Sequence, residues 1–282
     1  ENLIINAGSA KITLQGAIGS GTDGEVADLT IGSAGAGAID VFQIGTTSAV
    51  GASGTTAIGN SNTGTLTLDG TIYNTTGSQT YTAATGGKNI VMASSASGTA
   101  MAIKTANANV NFLVSDVTLN NESTTTIPSG GGAVTFGASG AAVDIETDGN
   151  NDDLLVIASG AGDVTFWGTI GATDELGGLD VNAGTAGTGD IVFKTNIGTS
   201  GSNPGIVGTT SIGTATGATT DTENVHFMGS HYEFDGGATT IAADGNETDT
   251  ETIEVGTAGT AVTFKADTDA LTFVGGKLDL AN

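Results

Sequence analysis

Residues 162–184 read GDVTFWGTIGATDELGGLDVNAG, and much of the chain varies this stretch. In its first segment Val164 and Phe166 fall on one side of an extended backbone, Thr165 and Trp167 on the other. In its second segment Leu179, Val181 and Ala183 share a face, opposite Asp180 and Asn182. Alternation with period two marks a half-buried strand. The stretch has no stripe at the spacing of about 3.6 residues that a helix requires. Two short strands, separated by glycines and an acidic turn, therefore form its unit.

A sub-pattern recurs on either side: apolar, any residue, apolar, any three residues, isoleucine. It fits Ile12, Leu14 and Ile18; Leu66, Leu68 and Ile72; Val164, Phe166 and Ile170; and Ile191, Phe193 and Ile197. Shorter forms occur at Val134 and Phe136, Val262 and Phe264, and Leu271 and Phe273. Partner strands are expected over 3–7, 154–158, 179–183 and 253–255. Copies separated by about 25 residues are the signature of a solenoid, in which each turn buries its apolar face only by stacking on the next. The expected fold is all-β: a parallel β-helix (β-solenoid) of triangular coils, one domain spanning 1–282. At about 4.8 Å per coil, roughly eleven coils would make a rod about 50 Å long. Residues 46–64 and 201–224, rich in Gly, Ser, Thr and Ala with weak alternation, are expected to be loop-rich insertions.

Composition narrows the function. The chain has 47 glycines, 2 prolines and no cysteine, with a net charge of −24 from 30 acidic and 6 basic residues. A collagen period is absent, and thiolate metal sites and disulfides are excluded. The acidic balance disfavours nucleic acid and anionic membrane surfaces. All the basic residues are lysines, so the guanidinium fork that grips carboxylates and phosphates is missing. No apolar run reaches the roughly 18 residues of a membrane-spanning helix. No signal peptide is recognisable at Glu1, which suits either a processed chain or a piece of a longer one.

Acidic residues gather just before partner strands: Asp23, Glu25 and Asp28; Asp148, Asp152 and Asp153; Asp174 and Glu175; Asp244, Glu247, Asp249 and Glu251. Carboxylates in glycine-rich turns are calcium ligands, and Asp148, Asp152 and Asp153 are the candidate set, with calcium the cofactor they would take. The competing reading is a solvated acidic edge that blocks lateral strand pairing. His226 and His231 could converge across Gly229, near Glu233 and Asp235, on a transition metal; the simpler expectation is two ordinary packed or surface histidines. Trp167, on the outward side, could stack on sugar or lie beneath a loop. Asn74, Asn121 and Asn246 begin glycosylation sequons. A carboxylate pair for glycoside hydrolysis cannot be singled out among so many acids, so no enzyme is expected. The terminal strands carry Leu3 and Ile5 at one end, Leu278 and Leu280 at the other. With no evident polar cap, these are the candidate assembly residues for head-to-tail stacking into a fibre; the alternatives are an unrecognised cap or continuation into a longer chain.

The stretches 162–166, 168–171 and 179–184, together with Thr76-Gly77-Ser78-Gln79-Thr80-Tyr81, resemble the repeats of large secreted bacterial surface proteins of the filamentous haemagglutinin type. The resemblance implies a right-handed β-helix, export, and a place at the cell surface; it carries no catalytic residues. The expected function is a non-enzymatic extracellular rod, part of a fibre, sheath or giant adhesin, whose partners are copies of itself and cell-surface glycans. A polysaccharide-binding or -degrading β-helix, and a calcium-dependent surface lattice, are the alternatives.

Overall fold

The computed structural model describes the chain except for residues 22–23, 33, 87–88, 95–97, 183–188, 201–202, 214–223, 244–251, 257–260, 267–269, 275–276 and 281–282. It is a parallel β-solenoid with about 27 residues per turn, slightly more than the roughly 25 expected from the sequence. Each coil contributes up to three short strands, and equivalent strands stack in register. The first face is an 11-stranded sheet running from Leu3–Asn6 through Val164–Phe166 to Lys277–Leu280. The second face runs through Leu66–Leu68, Ile90–Met92, Val117–Leu119 and Ile145–Thr147. It narrows to single bridges at Ile170 and Ile197 and widens again at His231–Phe234, paired with Thr263–Ala266. The third face includes Thr124–Pro128, Leu154–Ala158, Gly178–Asn182, Thr210–Ile212, Thr239–Ala242 and Leu271–Val274. Ile39–Ile44 turns the corner between the second and third faces, pairing with Leu66–Leu68 and, through Ile44, with Tyr73.

The alternation read from the sequence sets which side is core. Val164 and Phe166 are buried while Thr165 is only partly so, and Val134–Phe136 and Ile191–Phe193 repeat the arrangement. Full burial of such a side chain contributes about 1.5–3 kcal/mol, but only because the next coil covers it.

In-register parallel pairing places like on like. Tyr81, Phe112, Phe136, Phe166, Phe193 and Phe227 form one aromatic column inside the first face. Successive ring centroids lie 5.2, 4.7, 5.4, 4.9 and 5.1 Å apart, with planes within 12° of parallel. The spacing follows the distance of about 4.8 Å between strands, with the rings offset. Beyond Phe227 the stack turns edge-on to Tyr232 and Phe264.

Two expectations about loops change. The 46–64 stretch contains Thr56–Gly59, fully paired between Leu29–Gly32 and Gln79–Thr82. Only Ile58 gave it an apolar inward residue; the other inward position is the buried Thr56, which hid the alternation. Within 201–224, Thr210–Ile212 pairs between Gly178–Asn182 and Thr239–Ala242.

Candidate functional site

The acidic residues preceding the first-face strands do a structural job. At several corners the N–H at the start of a strand points back at the preceding coil and needs an acceptor. An Asp or Asn supplies it. Asp28 Oδ1 accepts from Thr55 N at 2.8 Å, Asn109 Oδ1 from Ala133 N at 3.0 Å, and Asp163 Oδ1 from Asp190 N at 3.0 Å. Asp190 Oδ1 then accepts from Asn224 Nδ2 at 2.9 Å, and Asn224 Oδ1 from Thr252 N at 2.9 Å. A second ladder runs from Asp116 to Asp144 N (3.0 Å) and from Asp144 to Thr169 N (2.5 Å). Glu146, buried, accepts from Thr173 N and Asp174 N at 3.1 and 2.9 Å. Each carboxylate thus joins one coil to the next through charge-assisted hydrogen bonds.

The calcium triad expected at Asp148, Asp152 and Asp153 is not assembled. Asp148 and Asp152 are exposed, and Asp148 binds Asn150 within its own turn. Asp153 is fully buried and reaches the neighbouring coil, where its Oδ1 accepts from Asn121 N (3.1 Å) and Ser123 N (3.4 Å). Burial pushes its carboxyl up; the two N–H donors oppose this, and the charges of Asp152 and Asp148 add to it. Among the described residues, no three His, Asp or Glu side chains gather as a metal-binding group. Asp23, Asp244, Glu247, Asp249 and Glu251 lie outside the described residues.

The histidines take separate partners. His226 Nδ1 lies 2.6 Å from Glu254 Oε2, and its Nε2 lies 3.7 Å from Asp190 Oδ2, so the ring sits between carboxylates of the coils on either side. His231, nearly buried, lies 2.9 Å from Glu233, which also binds Lys265. Burial alone would raise the Glu233 carboxyl, but the hydrogen bonds and charges of Lys265 and His231 outweigh it and hold the group below the ordinary glutamate value of 4.5. A depressed folded-state pKa contributes stability above the unfolded value, and that stability is lost as pH falls through the folded one. Glu233→Gln is therefore expected to lose about 1–2 kcal/mol at pH 7. The gap from wild type should close below pH 4.5 in urea titrations run across pH.

Trp167 is half-buried on the outer surface, with the Lys194 ammonium 5.3 Å from its ring centre and Lys194 Nζ 3.1 Å from Met228 Sδ. The two sequons among the described residues do not present free asparagines. Asn74 is buried and donates to Thr46 O and Ala49 O, and Asn121 is 1% exposed; Asn246 lies outside the described residues.

The sequence reading missed a polar centre in the core. Gln79 Nε2 donates to Tyr73 O, Thr75 Oγ1 and Lys104 O, and Gln79 Oε1 accepts from the Tyr81 hydroxyl. Gln79 therefore ties its own coil to the next one. A glutamine at an inward strand position, two residues before an aromatic, was the available signal.

The assembly candidates occupy the two ends of shared columns. Leu3 pairs with Leu29 and Ile5 with Ile31 at one end; Ile253 pairs with Leu278 and Val255 with Leu280 at the other. Leu3 and Ile5 are partly buried, while Leu278 and Leu280 are 51% and 60% exposed. Comparison with known protein families, curated proteins and solved structures finds no match for this chain.

Proposed function

We propose that this chain is a non-enzymatic structural rod of the cell exterior, part of a fibre, sheath or giant adhesin of the filamentous haemagglutinin type, and that copies of it stack head to tail. The observation that carries the reading is the matching of the ends. Leu278 and Leu280 lie in the same two inward columns as Leu3 and Ile5, so a second copy placed end-on would continue both columns without a change of register. Among the described residues Leu3–Asn6 and Lys277–Leu280 each pair on one side only, and an open strand edge recruits further strands. The acidic residues support a mechanical role: the corner ladders use them to hold coil to coil.

A glycan-binding reading rests on Trp167, whose half-exposed ring beside Lys194 offers a stacking surface. Negative-stain electron microscopy of the purified chain separates the readings. Fibres that persist in chelator are expected, and a Leu278→Asp, Leu280→Asp variant should give only short rods. Fibres that dissolve in chelator would favour the calcium-dependent lattice, and isolated wild-type rods under both conditions would overturn self-assembly.

A further inference from the structure

We propose that the adjoining turns 120–123 and 150–153 hold a hard divalent cation, with Asp153, Asn121 and Asn151 supplying side-chain oxygens. Three buried side-chain atoms at these turns lack a hydrogen-bond partner: Asp153 Oδ2, Asn121 Oδ1 and Asn151 Oδ1. The other unpartnered buried side-chain atoms among the described residues are hydroxyls of Thr56, Ser94, Thr118, Ser159, Thr210 and Thr239. A hydroxyl can rotate and donate. A carboxylate or carboxamide oxygen can only accept, and the acceptor-only atoms in this set all belong to these two adjoining turns.

Asp153 and Asn121 are in direct contact, and Asn151 lies two residues before Asp153 on the same turn. Asp153 Oδ1 accepts from the backbone N–H of Asn121, which sets the carboxylate against the 120–123 turn. Asp153 is 0% exposed and Asn121 1% exposed. The Asn121 amide nitrogen makes only long contacts, 3.3 Å to Thr125 Oγ1, 3.4 Å to Thr99 O and 3.5 Å to Thr124 O. An ionised carboxylate oxygen buried without a partner is a costly arrangement that a cation relieves. Among the described residues no ion pair reaches Asp153. Asp148 and Asp152 stand exposed on the same turn, and their charges act on Asp153, deepening the negative potential there. One carboxylate with carboxamide oxygens is a donor set for calcium, which completes its shell of 6–8 oxygens with backbone carbonyls and water. This site differs from the triad expected from sequence: Asp153 binds through its inner oxygen, and Asp148 and Asp152 contribute charge alone. The inference does not depend on fibre formation.

The test is calcium titration of the wild-type chain by calorimetry, with thermal unfolding in calcium and in chelator, and magnesium as the competing ion. One saturable site per chain and a calcium-dependent rise in Tm are expected. Loss of a metal's outer-shell partner typically costs 10–100-fold in affinity, so removing the only charged ligand in Asp153→Asn should weaken binding about tenfold or more. The Asp148→Asn, Asp152→Asn double variant changes only exposed groups and tests the site without disturbing the core. It should bind calcium severalfold more weakly, with a weaker dependence on salt. A wild-type chain without saturable calcium binding, or Asp153→Asn binding as tightly as wild type, overturns the proposal. A more stable Asp153→Asn with a calcium-insensitive wild type also overturns it, and would place a proton on Asp153 instead.

Discussion

Phe166→Ala is expected to destabilise the chain by about 3–5 kcal/mol, whereas Thr165→Ala on the same strand should stay within about 0.5 kcal/mol. Phe166 is 1% exposed and stacks on Phe136 at 5.4 Å and Phe193 at 4.9 Å. Truncation removes the buried ring and two ring contacts, each worth about 0.5–1.5 kcal/mol beyond its area. It also leaves a cavity that two flat neighbours, fixed by their own strands, cannot fill. The location makes the effect more than local. Solenoid stability is a sum of coil terms and nearest-neighbour terms, and Phe166 lies in the middle of the aromatic column. Weakening that junction should split the column, so urea unfolding followed by circular dichroism is expected to show two transitions in the variant. Hydrogen exchange should accelerate in Val134–Phe136 and Ile191–Phe193, the strands paired on either side. A loss below about 1 kcal/mol would mean that the column contributes little to the core.

The inward positions Val164, Phe166, Ile191 and Phe193 were legible in the sequence because they alternate cleanly, and Val164 does pair with Ile191. Register was less legible where a strand is apolar on both sides. Setting the expected strand 154–158 against 179–183 would align Leu154 with Leu179, yet Leu154 pairs with Gly178, and Leu155 with Leu179. Period two cannot say which side of such a strand faces inward. The repeated sub-pattern also occupies two different phases of the coil. In its first copy, Ile12 and Leu14 pair with Ile39 and Val41 on the second face, and Ile18 with Ile44 on the third. Val164 and Phe166, by contrast, lie on the first face and lead to Ile170 on the second. What the pattern encodes is a strand followed by a corner, and three-sided coils contain more than one.

The acidic turns were visible but their role was not. A carboxylate placed before a strand reads as a ligand or as solubilising charge until the next coil is stacked on it. Only then does Asp163 meet the N–H of Asp190. The usable clue was that Asn109 and Asn224 hold the same place without charge. What those positions share is an acceptor, which points to hydrogen bonding rather than to a metal. Asp153 escaped for a related reason: its neighbour in space is Asn121, a full coil earlier in the chain.

Gly171→Ala is expected to cost on the order of 3–4 kcal/mol, and Gly140→Ala only about 1 kcal/mol. Both glycines adopt left-handed backbone conformations, with φ of 62° and 79°, so each substitution carries a penalty of about 1–2 kcal/mol for an L-residue in that region. They differ in what surrounds them. A Cβ on Gly140 would meet nothing within 4 Å, whereas one on Gly171 would lie 2.0 Å from Gly205 O and 2.7 Å from Gly205 C and Cα. Gly171 sits at the corner after Ile170 and donates its N–H to Ile145 O at 2.8 Å, while Gly205 belongs to the following coil. Backbone therefore lies tightly on both sides, and the coils must separate to admit a methyl group. Nearby, the second face is held by the single bridge from Ile170 to Ile197, where no longer strand can share the displacement. The difference between the two variants, measured by urea denaturation, isolates the cost of forcing coils apart from the cost of the backbone conformation. Equal losses would mean that the corner yields at little cost and that coil spacing is set by the strands alone. A much larger loss at Gly171 would make the corner glycine, as much as the inward phenylalanines, a determinant of how closely the coils stack.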